Sequence, residues 1–345
     1  MLKREFSHSL FSRKWAIIAS IVSISTYNVY KVIALNKHFL GILLALATGI
    51  SWGIVSPIGR TLALQGVNMT TVILLRTFLV VIGCGLFMVL RTPQHFRVTL
   101  QNQCTLFIYG LLSVVCTYTG FLYSLKYLTV SAALIIHYTF PLVTLMGGII
   151  ITKERPTLAQ VLSSFLILLG VWVGMFSGKD ATQALPLAGI LWGLVAVAGM
   201  AGQSLLGREI ARENIISRES LIFYSHVWGG LCMIAIKHFS HGWADVPLLT
   251  LKSWGAIALL SCVGSLVAYA AYYTALRYIS ATAASLVCTV EIVTGITLAA
   301  FMSKELPTAY ELAGSTIIVL ASVLAALPPD LFQRRFKRTP RQNNV

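Results

Sequence analysis

KERPT at 153–157 and KELPT at 304–308 share four of five residues and stand 151 positions apart. Carried backwards at the same offset, Lys126-Tyr127 meets Arg277-Tyr278, Ala132-Ala133 meets Ala283-Ala284, and Tyr118 meets Tyr269, with no gap. Further upstream an offset of 148 sets Gly41-Ile42-Leu43 on Gly189-Ile190-Leu191 and Gly59-Arg60 on Gly207-Arg208. The chain is therefore two copies of one unit, about 39–177 and 186–327, flanked by residues 1–38 and 328–345. Duplication on this scale marks a repeat architecture.

Neither copy is suited to water. Of 345 residues, 57% are hydrophobic and 11% charged, with a mean hydropathy of +0.81, which leaves too few polar side chains to clothe a soluble globule. Apolar runs fall at 39–59, 70–90, 104–125, 128–152, 157–177, 186–206, 220–236, 254–275, 279–302 and 308–327. Most approach the ~20 residues that cross a hydrocarbon core of ~30 Å. Five spans per copy is an odd number, so the second copy enters the bilayer from the opposite side. The expected fold is an all-α integral membrane protein of ten transmembrane helices, arranged as two inverted five-helix repeats about a pseudo-two-fold axis in the membrane plane. Such halves can exchange conformations, opening a midplane site first to one face and then to the other.

The net charge of +15 is a topology signal before it is a nucleic-acid signal. With the N-terminus inside, only Arg60, Lys126, Lys179, Lys237, Lys252 and Lys304 fall on the outer side and Arg76 inside a span; the remaining lysines and arginines are cytoplasmic. This predicts both termini in the cytoplasm of an inner-membrane protein, with the basic tail as a solvated flank and no nucleic-acid partner. Lys3, Arg4, Arg13 and Lys14 before the apolar run from Trp15 mimic a signal peptide. As an eleventh span that run would strand four cations outside, so it reads as an interfacial segment or as sequence ahead of the true start.

Six cysteines lie singly in or beside apolar spans, without the paired spacing of zinc sites or disulfide frameworks. Lys237-His238-Phe239-Ser240-His241 with Asp245 lacks a second ligand cluster for a metal. No Walker loop is present, and no cofactor is implied.

Glycine and tryptophan in GISWG (49–53), the early arginine of the second span (Arg76), and alanine-containing fourth and ninth spans each ending in a short Lys-Glu loop with proline form one pattern over 39–327. In this the chain resembles the EamA-type carriers of the drug/metabolite transporter superfamily. The resemblance implies a ten-helix, basket-like fold in the bacterial inner membrane that exports amino acids or related metabolites. The ninth span departs from the pattern: the family's Glu-Pro is here Glu291-Ile292, while Pro141 is kept in the first half, so the sequence leaves a helix break in the second half open.

Six residues are the candidates for substrate binding or coupling. Glu291 lies near the centre of its span, where a carboxylate needs a cavity, a partner or a proton. Arg76 either snorkels to the outer interface along its stem or serves as a fixed cation, for a substrate carboxylate or for Glu291. His137 is a proton relay or an interhelical hydrogen-bonding group, and Pro141 frees its carbonyl and kinks the helix. Tyr118, Phe121 and Leu122 share one helical face with spacing i, i+3, i+4, and Tyr269, Tyr272 and Tyr273 are their repeat equivalents. Of these, Tyr118 and Tyr269 are the foremost cavity candidates, because buried hydroxyls need partners. Gln203 needs a partner too, and Trp52 is expected to pack. GxxxG runs at Gly49/Gly53, Gly170/Gly174 and Gly189/Gly193 serve internal helix packing or a homodimer, so the chain is read as monomer or homodimer.

The functional expectation is a secondary transporter, an exporter of a small metabolite such as an amino acid, with protons coupled through Glu291 and His137. The alternative is an intramembrane enzyme acting on a lipid-linked substrate with those two residues as general acid and base.

Overall fold

The two copies share local structure wherever they share sequence. A computed structural model describes residues 36–176, 186–240, 242–302, 304 and 306–326. Through them run α1 (Asn36–Leu64), α2 (Met69–Arg91), α3 (Leu100–Tyr127), α4 (Val130–Thr152), α5 (Leu158–Phe176), α6 (Leu187–Glu213), α7 (Arg218–Ser240), α8 (Leu251–Ala275), α9 (Ala281–Met302) and α10 (Ala309–Ala326). Eight are long and apolar enough to span a bilayer, and α5 and α10 are shorter apolar helices. The signal-like run from Trp15, Lys179, His241 and the basic tail lie outside the described residues.

Starts and stops repeat at the offset of 151. Thr99 and Thr250 cap α3 and α8, and Thr129 and Ser280 cap α4 and α9, each side-chain oxygen accepting from a backbone N–H in the first turn. Thr157 with Gln160, and Thr308 with Glu311, form reciprocal capping boxes at the heads of α5 and α10. Lys153 and Lys304, just before those helices, both take the left-handed conformation, with φ of 53° and 57°. α3 and α8 each carry a π-helical segment, Leu111–Tyr118 and Cys262–Val267, beginning at equivalent residues. Such segments redirect side chains and recur at functional sites.

Packing follows the same symmetry. α1 packs on α9 as α6 packs on α4, and α3 on α6 as α8 on α1, while α2–α7 and α5–α10 pair equivalent helices of the two copies. This is the inverted ten-helix repeat that the parity argument requires. The GxxxG runs work inside it: Gly49 and Gly53 face α9, Gly189 and Gly193 face α4 and the corner before it, and Gly170 faces α10. A Cβ at Gly53 would sit 2.4 Å from Thr294 Cβ and 3.0 Å from the Glu291 carbonyl, so only glycine admits this close α1–α9 approach.

α9 does break in the second half: its helix is interrupted at Cys288–Thr289, one residue ahead of the positions equivalent to the α4 break at Tyr138–Thr139, although Ile292 replaces the proline. The turn survives because hydroxyls satisfy the carbonyls near it: Thr289 Oγ1 donates to Leu286 (2.7 Å) and Ser285 Oγ to Thr282 (2.9 Å).

Candidate functional site

Seven helices contribute to one cavity. Its walls are Trp52 and Val55 (α1), Arg76 (α2), Thr117, Tyr118, Phe121 and Leu122 (α3), His137 (α4), Met200 (α6), Tyr269 (α8) and Glu291 (α9). Measured for the centre of a water-sized sphere, its volume is about 40 Å³. One ordered water needs ~10–15 Å³ by that measure, so the space holds a few waters and no metabolite.

Arg76 forms the basic wall. It does not snorkel and, among the described residues, joins no ion pair: it is 3% exposed, donating from Nε to Ser265 Oγ (2.7 Å) and from Nη2 to the Gly264 carbonyl (2.9 Å). Both acceptors lie in the π-helical segment of α8. The guanidinium carbon sits 4.0 Å from the centre of the Tyr118 ring, a cation–π contact. Tyr118 Oη is 3.1 Å from Ser265 Oγ and 3.0 Å from His226 Nε2. His226 Nδ1 lies 2.8 Å from the Ile222 carbonyl, which only accepts, so Nδ1 carries the proton and Nε2 accepts from Tyr118. Arg76 is thus oriented by a hydroxyl, a backbone carbonyl and a tyrosine ring, not by an acidic partner.

Glu291 forms the acidic wall, 4% exposed and two residues past the break of α9. Its Oε2 accepts from Tyr138 Oη at 2.5 Å, and the same hydroxyl lies 3.2 Å from the Cys288 carbonyl exposed by the break. Each half's break therefore serves the site: α4 delivers Tyr138 from its own discontinuity, and α9 delivers Glu291. His137 precedes Tyr138. Its ring packs on Phe121 at 4.9 Å, and its buried Nδ1 makes no hydrogen bond among the described residues.

Aromatic rings frame the space between these walls. Trp52 lies edge-on to Tyr269 at 5.6 Å and 5.1 Å from Tyr272, and Tyr269 stacks on Tyr273 at 5.4 Å. The two tyrosine faces do meet across the pseudo-two-fold, with Tyr118 and Tyr269 6.2 Å apart.

Across the whole bundle the sequence model of the EamA-like transporter family matches residues 39–176 and 187–327, the two repeats in turn. The chain belongs to this family. Relatives include an uncharacterized inner membrane transporter, YhbE, of Escherichia coli K12, 25% identical over 67% of this chain and 71% of its own. An uncharacterized transporter of Haemophilus influenzae is 22% identical over 70% of this chain and 77% of its own. A solved crystal structure superposes with a TM-score of 0.64 at 16% identity, covering 88% of this chain and 98% of that one, which shows a shared fold. Family and relatives alike indicate an EamA-like transporter rather than an enzyme, in a membrane that for YhbE is the inner one.

Of the candidates read from sequence, Glu291, Arg76, His137, Tyr118 and Tyr269 meet in the EamA-like cavity. Gln203 does not. It is fully buried on α6, its amide nitrogen against Met200 Sδ and its oxygen without a partner, one turn from the cavity wall that Met200 provides. Pro141 opens the second part of α4 and lies off the cavity, as do Tyr272 and Tyr273. Trp52, expected only to pack, is part of the wall. His226, Ser265 and Tyr138 were not read from sequence. A signal for His226 exists, since Ser225-His226 and Gly229-Gly230 make a small and polar stripe within the apolar middle of α7.

Proposed function

We propose that this EamA-like protein is a secondary transporter that exports a small metabolite carrying both an amine and a carboxylate, an amino acid or a close relative. The observation that carries this reading is the pairing of walls. Arg76 and Glu291 line one buried cavity, each held by neutral partners and neither bonded to the other. Intramembrane charges kept apart in this way mark a substrate path. A zwitterion bridges them, its carboxylate on the free edge of the guanidinium and its ammonium on Glu291, with the aromatic rings around its side chain.

A proton is the competing cation for Glu291. When substrate leaves, the carboxyl takes up a proton or remains on the Tyr138 hydroxyl, which supports coupling of export to proton movement. His137, with an unused ring nitrogen on the same cavity, supplies a second proton position. The small cavity admits substrate only after the halves move, which suits alternating access between inverted repeats. The distribution of basic residues supports cytoplasmic termini, with the Lys153 loop inside and the Lys304 loop outside. The glycine runs are covered within one chain, which supports a monomer.

The test is a screen for extracellular metabolites in cells overproducing the protein or its Glu291→Gln variant. The reading predicts that one amino-acid-like solute accumulates outside with the wild type alone. Equal accumulation of a solute with both forms would sink the role of Glu291. If neither form moves any solute outward, the export reading fails.

A further inference from the structure

The duplication extends to a pair of arginine contacts at opposite ends of the bundle. Arg60, near the end of α1, donates from Nη1 to the Leu125 carbonyl at 2.9 Å, in the last turn of α3. Arg208, its repeat equivalent near the end of α6, donates from Nη1 to the carbonyl of Leu276, the equivalent of Leu125, at the end of α8. Carbonyls at a helix C-terminus lack intrahelical donors and carry the negative end of the macrodipole, so a guanidinium is well matched to both.

The Arg208 contact reaches further. Its Nε donates to Glu154 Oε1 at 2.7 Å, and one turn on Arg212 donates to the Thr152 carbonyl at 3.1 Å. Glu154 and Thr152 belong to the first repeat, whereas α6 and α8 belong to the second, so this cluster ties the halves together at the face of the Lys153 loop. The pair is shielded, with Arg208 16% and Glu154 22% exposed. The other Glu154 oxygen is buried and has no hydrogen-bond partner among the described residues. Glu305, equivalent to Glu154 in sequence, lies outside the described residues.

We propose that Arg208 and Arg60 are paired gate residues: the Arg208–Glu154–Leu276 cluster seals the Lys153 face, the Arg60–Leu125 contact seals the Lys304 face, and each half of the transport cycle breaks one and keeps the other. This rests on the alternating-access reading, but not on the substrate assigned to the cavity. Glycine precedes each arginine, Gly59 and Gly207, so the repeat conserves the local chain around both contacts.

Hydrogen exchange on the full chain in lipid nanodiscs, without added solute, tests the gates directly. In Arg208→Ala, exchange at 152–158 and 272–280 rises by about fivefold or more, the low end of ordinary conformational coupling, while 60–68 and 124–130 become more protected. Arg60→Ala gives the mirror image. Protection at the far face is the diagnostic result, because loss of a local contact alone produces only the rise. Glu154→Gln, which leaves the Leu276 contact in place, moves both faces in the Arg208→Ala direction by less, and it decides the matter if Arg208→Ala does not elute as folded protein. Changes confined to the mutated face in every folded variant overturn the proposal. The export screen reads the substrate assignment independently, so failure of the gates and failure of that assignment are distinguishable.

Discussion

Replacing Tyr138 by phenylalanine removes a single hydroxyl from the core, and the structure fixes what that costs. The hydroxyl has one proton, and its nearer acceptor is Glu291 Oε2 at 2.5 Å; the Cys288 carbonyl at 3.2 Å is the alternative. Tyr138 is fully buried, and Glu291, nearly so, meets only the few waters the cavity can hold. A hydrogen bond to an ionised carboxylate contributes about 1.5–3 kcal/mol, one to a neutral acceptor about 0.5–1.5. Within membranes interhelical bonds between neutral groups average about 0.6 kcal/mol. A double-mutant cycle of Tyr138→Phe with Glu291→Gln, read by reversible unfolding in mixed micelles, therefore measures how much of the bond depends on the carboxylate. The coupling is about 1–2 kcal/mol where the carboxylate is ionised and falls below about 0.5 where Glu291, like its glutamine replacement, is neutral, so a proton exchanged at Glu291 makes the coupling depend on pH. Coupling near zero throughout would show that Tyr138 does not hold Glu291, and a large coupling unchanged with pH would refute proton exchange at this carboxylate.

Other consequences are as concrete. Arg76→Lys keeps the charge but loses the fork that reaches Ser265 and Gly264 and the face that stacks on Tyr118, and transport of the cognate solute is expected to drop about tenfold or more, measured by proteoliposome uptake. Gly53→Ala forces a Cβ into Thr294 at 2.4 Å, so α1 and α9 must part; overpacking costs about 1–3 kcal/mol in unfolding assays, and transport falls with it because α9 carries Glu291. Asp245, in the loop after α7, is pushed up by burial but pulled further down by hydrogen bonds from Lys237 and Thr71 and by the Lys237 charge, so its carboxyl lies below the ordinary 3.8. The unfolded chain then binds more protons in that range, and this tie stabilises the fold above about pH 3.8 and is lost as pH falls through the lowered value. In Asp245→Asn that part of the acid dependence, followed by intrinsic fluorescence, is expected to vanish.

The fold was legible because its determinants are periodic. Span count, repeat offset and charge asymmetry need only hydropathy and self-comparison, and the capping pairs Thr157/Gln160 and Thr308/Glu311 show how literally the second copy repeats the first. The break in α9 stayed open in the sequence because proline is one way to end a helix and hydroxyl side chains are another. Thr289 and Ser285 bond the carbonyls near the turn without a covalent signature. The candidate site was legible where a residue type is costly in lipid, as with Arg76, His137 and Glu291. It was opaque where geometry assigns the task. Tyr138 meets Glu291 across the two breaks, yet their repeat equivalents are Thr289 and Phe140, so the symmetry hid the contact. Trp52 reached the cavity wall through the Gly53 approach of α1 to α9. The π-helical segments that aim Tyr118 and Ser265 inward have no residue code.

The central claim is that Arg76 and Glu291 together hold one amino-bearing acid. The most direct measurement is thermal stabilisation of the purified protein by a panel of amino acids, each set beside its amide, which lacks the carboxylate, and its N-acetyl form, which lacks the amine. The account predicts that one class of free amino acid raises the melting temperature of the wild type, that its amide and N-acetyl forms do not, and that Arg76→Ala and Glu291→Gln abolish the shift. A solute that stabilises the wild type and both variants equally, or binds as well with either end blocked, would contradict it.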